Sequence, residues 1–421
     1  MLKGAIVGVG NVAFHGHLPV WSARPEVEIV AAADERPAAR PEFARRFPQA
    51  RWHHSVEALL DAHKLDFVDI CTPPAFHSSA ILQALERGAH VLCEKPLVLS
   101  SAELAQLVAI ARKGNRVVAT VHNWRHAPVL LRATDLVRTG SIGALSRVRW
   151  ETLRDQPAAV AASAGNWRID PAIAGGGILI DHGWHALYVI QQWLSGEPER
   201  VSAKLEKRRY SEWPIEDTAE VVLEYPRPAC HSEERSDKES APAAAEFKSR
   251  SLAEPAPNRT GDSKRGSRSL ASVGMTERRE ALGMTERGEG LGMTKRAARA
   301  EIFLTWTAAE RANRVTLEGS AGTIAIDGGR LEIRSAAGAP TGREELPGSL
   351  SEGSHHPDWF GGVVTEFLEE IRDPGRRGAS LAEADRCLRW IATAYESGHR
   401  GGEALEVIES RAASASLGVA S

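Results

Sequence analysis

A glycine-punctuated turn near the start of the sequence limits what the first hundred residues can become. Gly8-Val9-Gly10-Asn11-Val12-Ala13 follows a β-branched, apolar run at 3–7 and opens a helix-forming stretch. The spacing predicts strand, tight turn and helix, an order that aims backbone N–H groups and the positive helix end at one point and suits a pyrophosphate. Gly8 permits the turn, Gly10 admits the phosphate, and Ala13 lets helix and strand pack closely. Asp34 stands 21 residues after Ala13, at the end of a second apolar run. There a carboxylate can accept hydrogen bonds from the adenosine ribose. Its charge opposes a 2′-phosphate and favours NAD, while Arg36 two residues on keeps NADP open. The plain alternative is a tight glycine turn beside a solvated Asp.

Apolar runs at 27–33, 67–71, 90–93 and 117–121 continue the pattern. Between them lie a helical stretch at 76–87 that ends at Gly88 and another at 101–113, which Ser100 and Glu103 open as a capping box. Strands alternating with helices predict an α/β fold, a doubly wound parallel sheet of Rossmann type over 1–122. Past a linking helix near 128–138, Ser146, Val148, Trp150 and Thr152 alternate with Arg147, Arg149, Glu151 and Leu153. That period of two marks a half-buried strand. Further strands are expected at 200–207, 218–225, 301–306, 315–318 and 323–326, with helices at 182–194, 359–372 and 381–399. The second domain, 123–421, is therefore expected to be α+β on a mostly antiparallel sheet.

Residues 227–298 interrupt it. These 72 positions hold no Ile, Trp or Tyr, and repeat a Gly-Met-Thr motif from Gly274, Gly283 and Gly292. So few large apolar side chains cannot bury a core, and the stretch reads as a disordered, low-complexity insertion into a hairpin. For the rest of the chain, 43% hydrophobic content over 421 residues supports a sizeable core. A formal charge of −3 supplies no basic field for nucleic acid or an anionic membrane. Cys71, Cys93, Cys230 and Cys387 form no CxxC pair, which argues against a disulfide framework or zinc knuckle and for a reducing, cytoplasmic setting. No metal site and no membrane span is expected.

Two more motifs bear on chemistry. Glu94-Lys95-Pro96 follows the strand at 90–93, so Lys95 leaves the carboxyl edge of a parallel sheet, where ligands dock. It can polarise a carbonyl or alkoxide there, or be a surface Lys paired with Glu94. Asp181 and His185 lie four apart in a helical stretch after Gly175-Gly176-Gly177. A shared face would put an imidazole beside a carboxylate, a usable general base or a structural hydrogen bond.

In these motifs the sequence resembles the glucose-fructose oxidoreductase / inositol dehydrogenase / rhizopine catabolism (Gfo/Idh/MocA) family. Those above keep the family's order, as do His17-Leu18-Pro19, Cys71-Thr72-Pro73-Pro74 with His77, Asn123 with Arg125 and Pro128, and Asn166-Trp167-Arg168. The resemblance spans the chain apart from the insertion and the last dozen residues. It implies a Rossmann domain followed by an open-faced sheet domain, with NAD or NADP on the first and a sugar or polyol between them.

By that resemblance Lys95, Asp181 and His185 are catalytic: His185 takes the hydroxyl proton, Lys95 holds and polarises that oxygen, and Asp181 orients substrate or imidazole. Gly8, Gly10, Asn11, Val12, Ala13, Asp34, Thr72, Pro73, His77, Glu94 and Lys95 would meet the cofactor, and Arg125, Trp167 and Arg168 the substrate. His182, His355 and His356 have no matching partner and are expected to be solvated or structural. Pro74, where the family often has Asn, removes an amide contact. The implied activity is hydride transfer between a nicotinamide cofactor and a secondary hydroxyl or ketone of a sugar, amino sugar or cyclitol. The alternatives are a redox-neutral, NAD-dependent glycosidase and a non-catalytic dinucleotide-binding regulator. A homodimer or homotetramer is expected, because an open sheet face calls for cover.

Overall fold

The computed structural model describes residues 1–157, 166–226, 297–353 and 355–407. All but the last two positions of the low-complexity stretch 227–298 lie outside the described residues.

The first sheet has six strands: β1 Leu2–Val7, β2 Val27–Ala33, β3 Arg51–His53, β4 Phe67–Ile70, β5 His90–Cys93 and β6 Val118–Thr120. They run in the order β3-β2-β1-β4-β5-β6, and every pairing is parallel. Ala5, Ile6, Val68, Ile70, Val91 and Leu92 are wholly buried, as a sheet covered on both faces requires. The order reverses between β1 and β4, so the loops after β1, β4 and β5 converge on one crevice at the carboxyl edge, where doubly wound folds bind ligands. The capping box forms as the residue types predict: Ser100 Oγ accepts from Glu103 N, and the Glu103 carboxylate accepts from Ser100 N at 3.0 Å.

The second sheet has nine strands: β7 Leu145–Leu153, β8 Arg200–Glu206, β9 Thr218–Glu224, β10 Arg299–Thr305, β11 Ala312–Gly319, β12 Gly322–Asp327, β13 Arg330–Ser335, β14 Pro340–Glu345 and β15 Leu405–Glu406. Their order is β14-β13-β12-β11-β7-β10-β9-β8-β15. All pairs are antiparallel except β7 with β10. Strands β9 and β10 form a ladder that closes at Glu224 opposite Arg299, followed by Tyr225 N donating to Ala298 O at 2.9 Å. The low-complexity stretch is thus tied to the fold at the open end of one hairpin.

The division at residue 122 is crossed. Helix Pro357–Arg372 returns to the first sheet, where Phe360, Val364 and Phe367 join Trp21 and Phe67 in one buried cluster. Thr120 N donates to Ser380 Oγ at 2.9 Å, so helix Ala379–His399 also touches the Rossmann strands. Among the described residues no helix is long and apolar enough to cross a membrane.

On the outer face of the second sheet Arg147 and Arg299 pair with Glu301, and Arg149 pairs with Glu318. The expectation of an oligomer rested on this face needing cover. Ion pairs can rest in water, and a second copy laid over them would have to desolvate charge.

Candidate active site

The crevice opens into one cavity of about 1400 Å³, running from the Gly8 turn and Asp34 to Lys95, Asp181 and His185. At the Gly8 end the backbone sets the shape. Gly8 has φ +84°, and a Cβ there would sit 2.7 Å from Thr72 N, so the β1 and β4 loops touch only because the side chain is absent. Residues 11–22 form a helical run that widens into a π-type turn over Ala13–His17.

Asp34 Oδ2 accepts from Val9 N at 2.7 Å and so braces the glycine turn. Arg36 clamps the same carboxylate, Nε to Oδ1 at 2.9 Å and Nη2 to Oδ2 at 2.7 Å. Burial works against ionisation of Asp34, but the Arg36 and Val9 hydrogen bonds outweigh it and hold its carboxyl below the usual range.

Lys95 bridges the two sheets. Its Nζ donates to Asp181 Oδ1 at 2.9 Å and to Asp181 O at 2.7 Å. Asp181 lies in a π-type turn, Leu179–Gly183, that precedes helix Trp184–Ile190. Burial disfavours the Asp181 carboxylate, yet Lys95, with His182 and Arg168 behind it, holds it ionised far below the usual range.

The glycine run sets the entry to that turn. A Cβ on Gly177 would lie 2.0 Å from Glu216 O, and the Glu216 carboxylate accepts from Gly177 N at 3.1 Å and Leu179 N at 3.0 Å. Glu216 thereby pins the turn that presents Asp181.

Position His185 does not share Asp181's hydrogen bonds, because the wider π-type turn breaks the α-helical spacing of four on which the expected pair depended. Its partner is Tyr188: Nδ1 and the hydroxyl lie 2.8 Å apart, and that hydroxyl accepts from Trp124 N at 2.9 Å. The His185 ring stacks on Trp124 at 4.6 Å between centroids. Burial first, then the Lys95 charge, keep His185 neutral to well below its ordinary pKa.

Beneath Lys95 is a buried network that residue spacing did not reveal. His17 Nδ1 approaches Asp69 Oδ2 at 2.8 Å, and its Nε2 approaches Glu94 Oε1 at 3.0 Å. Burial opposes protonation, but Asp69 raises His17 well above its ordinary value, making it an imidazolium between two carboxylates. Trp21 Nε1 donates to Asp69 at 2.6 Å, and Glu94 Oε2 accepts from Lys95 N at 3.1 Å. The network thus ends on the backbone of Lys95 itself. Donor atoms of His17, Asp69 and Cys71 come within 4.8 Å of one another, but the 2.8 Å His17 contact has the length of an imidazolium–carboxylate hydrogen bond.

Of the predicted contacts, Gly8, Gly10, Asn11, Val12, Asp34, Thr72, Pro73, Glu94, Trp167 and Arg168 line the cavity with Lys95, Asp181 and His185. Three do not. Ala13 is fully buried in the helix–strand contact. His77 is also buried, its ring bridging Thr72 O at 2.7 Å and Pro96 O at 2.8 Å, so it braces two cavity loops from behind. Arg125 is drawn away by two acids distant in sequence, Glu383 at 2.7 Å and Glu366 at 2.5 Å.

Conversely, His182, His355 and His356 line the cavity and are not free surface groups. His355 Nε2 lies 2.9 Å from Asn11 Nδ2, on the phosphate-type turn. The late position of His355 and His356 in the chain hides this, since only the return of helix Pro357–Arg372 brings them across.

Residues 2–122 match the model of the oxidoreductase family with an NAD-binding Rossmann fold, and residues 130–232 match a Gfo/Idh/MocA C-terminal domain. Together the matches cover more than half of the chain. An uncharacterized oxidoreductase of Schizosaccharomyces pombe is 33% identical over 53% of this chain and 60% of its own length. D-glucoside 3-dehydrogenase of Escherichia coli is 31% identical over 45% of this chain and 54% of its own. The chain thus spans a little over half the length of these relatives. Levoglucosan dehydrogenase, solved with NADH and levoglucosan, superposes with TM-score 0.69, covering 97% of this chain and 100% of that one at 18% identity, a likeness of fold.

Proposed function

The chain belongs to the Gfo/Idh/MocA oxidoreductase family, and from that premise we propose that it is an NAD-dependent dehydrogenase of sugars. It oxidises a secondary hydroxyl of a sugar, amino sugar or cyclitol, or reduces the matching ketone. The observation that carries this reading is the Lys95–Asp181 pair, 2.9 Å apart, in one cavity with neutral His185 and the glycine turn.

The residues present fit a dinucleotide. The Gly8 turn is a backbone cradle that a Cβ would close. In the loop facing that turn, Thr72 Oγ1 is buried without a hydrogen-bond partner among the described residues. Asp34 supplies acceptor oxygens at the end of β2. Gly8, Gly10, Asn11 and Val12 would take the pyrophosphate, Asp34 the adenosine ribose, and Thr72, Pro73 and Glu94 the nicotinamide half. When bound, NAD supplies the hydride acceptor.

The chain's own groups do the remaining work. Lys95, aimed by Asp181, donates a hydrogen bond to the substrate oxygen and stabilises negative charge developing on it. His185 Nε2 takes the hydroxyl proton, with Nδ1–H donating to Tyr188 Oη. In ketone reduction the same steps run in reverse: the imidazolium returns its Nε2 proton to the forming alkoxide, and Nδ1–H still donates to Tyr188 Oη. Trp124 and Trp167 exclude water beside them. Replacing Lys95 or His185 with Ala should lower kcat at least about a hundredfold, the usual size of an acid-base contribution, with NAD affinity nearly intact. Undiminished turnover in either variant would refute the assignment.

A further inference from the structure

This inference rests on the dehydrogenase reading and narrows its substrate. On the Asp181 side the cavity is lined by Arg154, Arg168 and Arg311, and among the described residues none of the three pairs with a carboxylate. Arg154 donates to the carbonyls of Leu153 at 2.7 Å and Ala312 at 3.1 Å and to Asn313 Oδ1 at 3.3 Å. Arg311 donates to the carbonyls of Ser351 at 2.8 Å and Gly353. Arg168 lies over the Trp167 ring, 4.4 Å from its centroid. Elsewhere the fold neutralises its cavity and interface arginines, as with Arg36 on Asp34 and Arg125 on Glu366 and Glu383.

The local charge stays positive. Asp181 is matched by Lys95, which leaves Asp155 as the carboxylate facing three guanidinium groups in this part of the cavity. His182, held neutral by burial and by the charges of Arg154, Lys95 and Arg311, with a pKa of about 3, adds no charge of its own.

Hydrogen bonding points the same way. Among the described residues, Arg154 Nε and Trp306 Nε1 are buried N–H donors with no partner, and His182 Nδ1 is also unpartnered. Arg154 is 2% exposed and Trp306 1%. Leaving buried donors unmet costs about 1–3 kcal/mol each, more for charged groups. A ligand rich in acceptor oxygens and carrying negative charge meets both deficits at once.

We propose that the substrate is an anionic sugar, bearing a carboxylate or phosphoryl group that docks between Arg311 and Arg168 while buried Arg154 supplies a fixed positive charge behind it. The hydroxyl to be oxidised then lies towards Lys95 and His185. Carboxylate and phosphoryl share this recognition chemistry: several acceptor oxygens on a net negative group, suited to guanidinium forks.

The test uses the full chain saturated with NAD and two matched pairs: methyl β-D-glucuronide against methyl β-D-glucoside, and glucose 6-phosphate against glucose. One charged member should exceed its neutral partner in kcat/KM at least about tenfold, the scale of a charge-assisted hydrogen bond. The preference should shrink with added salt, and the pair that shows it identifies the anion. Arg311→Gln, at an exposed position tolerant of substitution, should raise KM for that anion at least about tenfold while the Kd for NAD holds.

Equal or better use of the neutral members would overturn the proposal. So would an Arg311→Gln variant that loosens NAD and not the sugar acid, because the cations would then serve the cofactor's pyrophosphate. If no sugar is turned over, the dehydrogenase reading fails separately. Calorimetry with methyl β-D-glucuronide and glucose 6-phosphate then decides: binding weakened by Arg311→Gln upholds the anion site, and absence of binding overturns it.

Discussion

Lys95 and Asp181 are 86 positions apart in sequence and 2.9 Å apart in space, and that contact ties the carboxyl edge of the first sheet to the second. His185 completes the group through a different partner, Tyr188. Since burial and Lys95 push the His185 pKa well below 6.5, the imidazole stays an unprotonated base through neutral pH. Oxidation should therefore be lost only as pH falls through that depressed value. The expected kcat/KM profile is flat across neutrality with its acid limb well below pH 6.5, measurable by initial rates. A limb at or above 6.5 would mean that His185 is not the group titrating. Lys95, Asp181 and His185 were legible as residue types in order. For the Tyr188 hydroxyl the sequence signal is its spacing of three from His185, that of helical neighbours. The pairing of Arg125 with Glu366 and Glu383 has no local cue, because the two acids lie more than 240 positions away.

At the scale of elements, the glycine turn after β1 is where local sequence and function coincide. Gly8→Ala would force an L side chain into a left-handed conformation costing about 1–2 kcal/mol and press its Cβ to 2.7 Å from Thr72 N. The expected result is NAD binding weakened at least about tenfold with a lower Tm, read by titration calorimetry and thermal melting. Wild-type affinity would show that the turn does not carry the cofactor. Strands with continuous apolar runs, such as β2 and β4, and the helix after Ser100 were readable from pattern and capping. The edge strand β3 was not, because its Arg51, Trp52 and His53 are exposed or half-buried and leave no apolar run. Strands β13 and β14 escaped for the same reason, being mostly half-buried or exposed charged and polar positions. The π-type turn at Leu179–Gly183 is invisible to a periodicity argument that assumes 3.6 residues per turn.

For the molecule as a whole, order along the chain and order in space part company. The C-terminal helices pack on the first sheet, so histidines at 355 and 356 reach a cavity begun at residue 8. By contrast the long interruption enters at a hairpin whose ladder is complete without it. Excising 227–296 and joining the ends through an Asn-Gly turn should leave Tm and sugar turnover unchanged or raised, since shortening a loop lowers its closure entropy by only a few kcal/mol. An insoluble or inactive product would give that stretch a role in folding or catalysis. The measurement that bears most directly on the central claim is absorbance of reduced nicotinamide with the purified chain, NAD, and a panel of free sugars, sugar acids, cyclitols and aryl glycosides. NADH accumulating with a sugar or polyol, and abolished by His185→Ala, is the predicted result. Aglycone release without NADH would contradict it and make the protein a redox-neutral glycosidase.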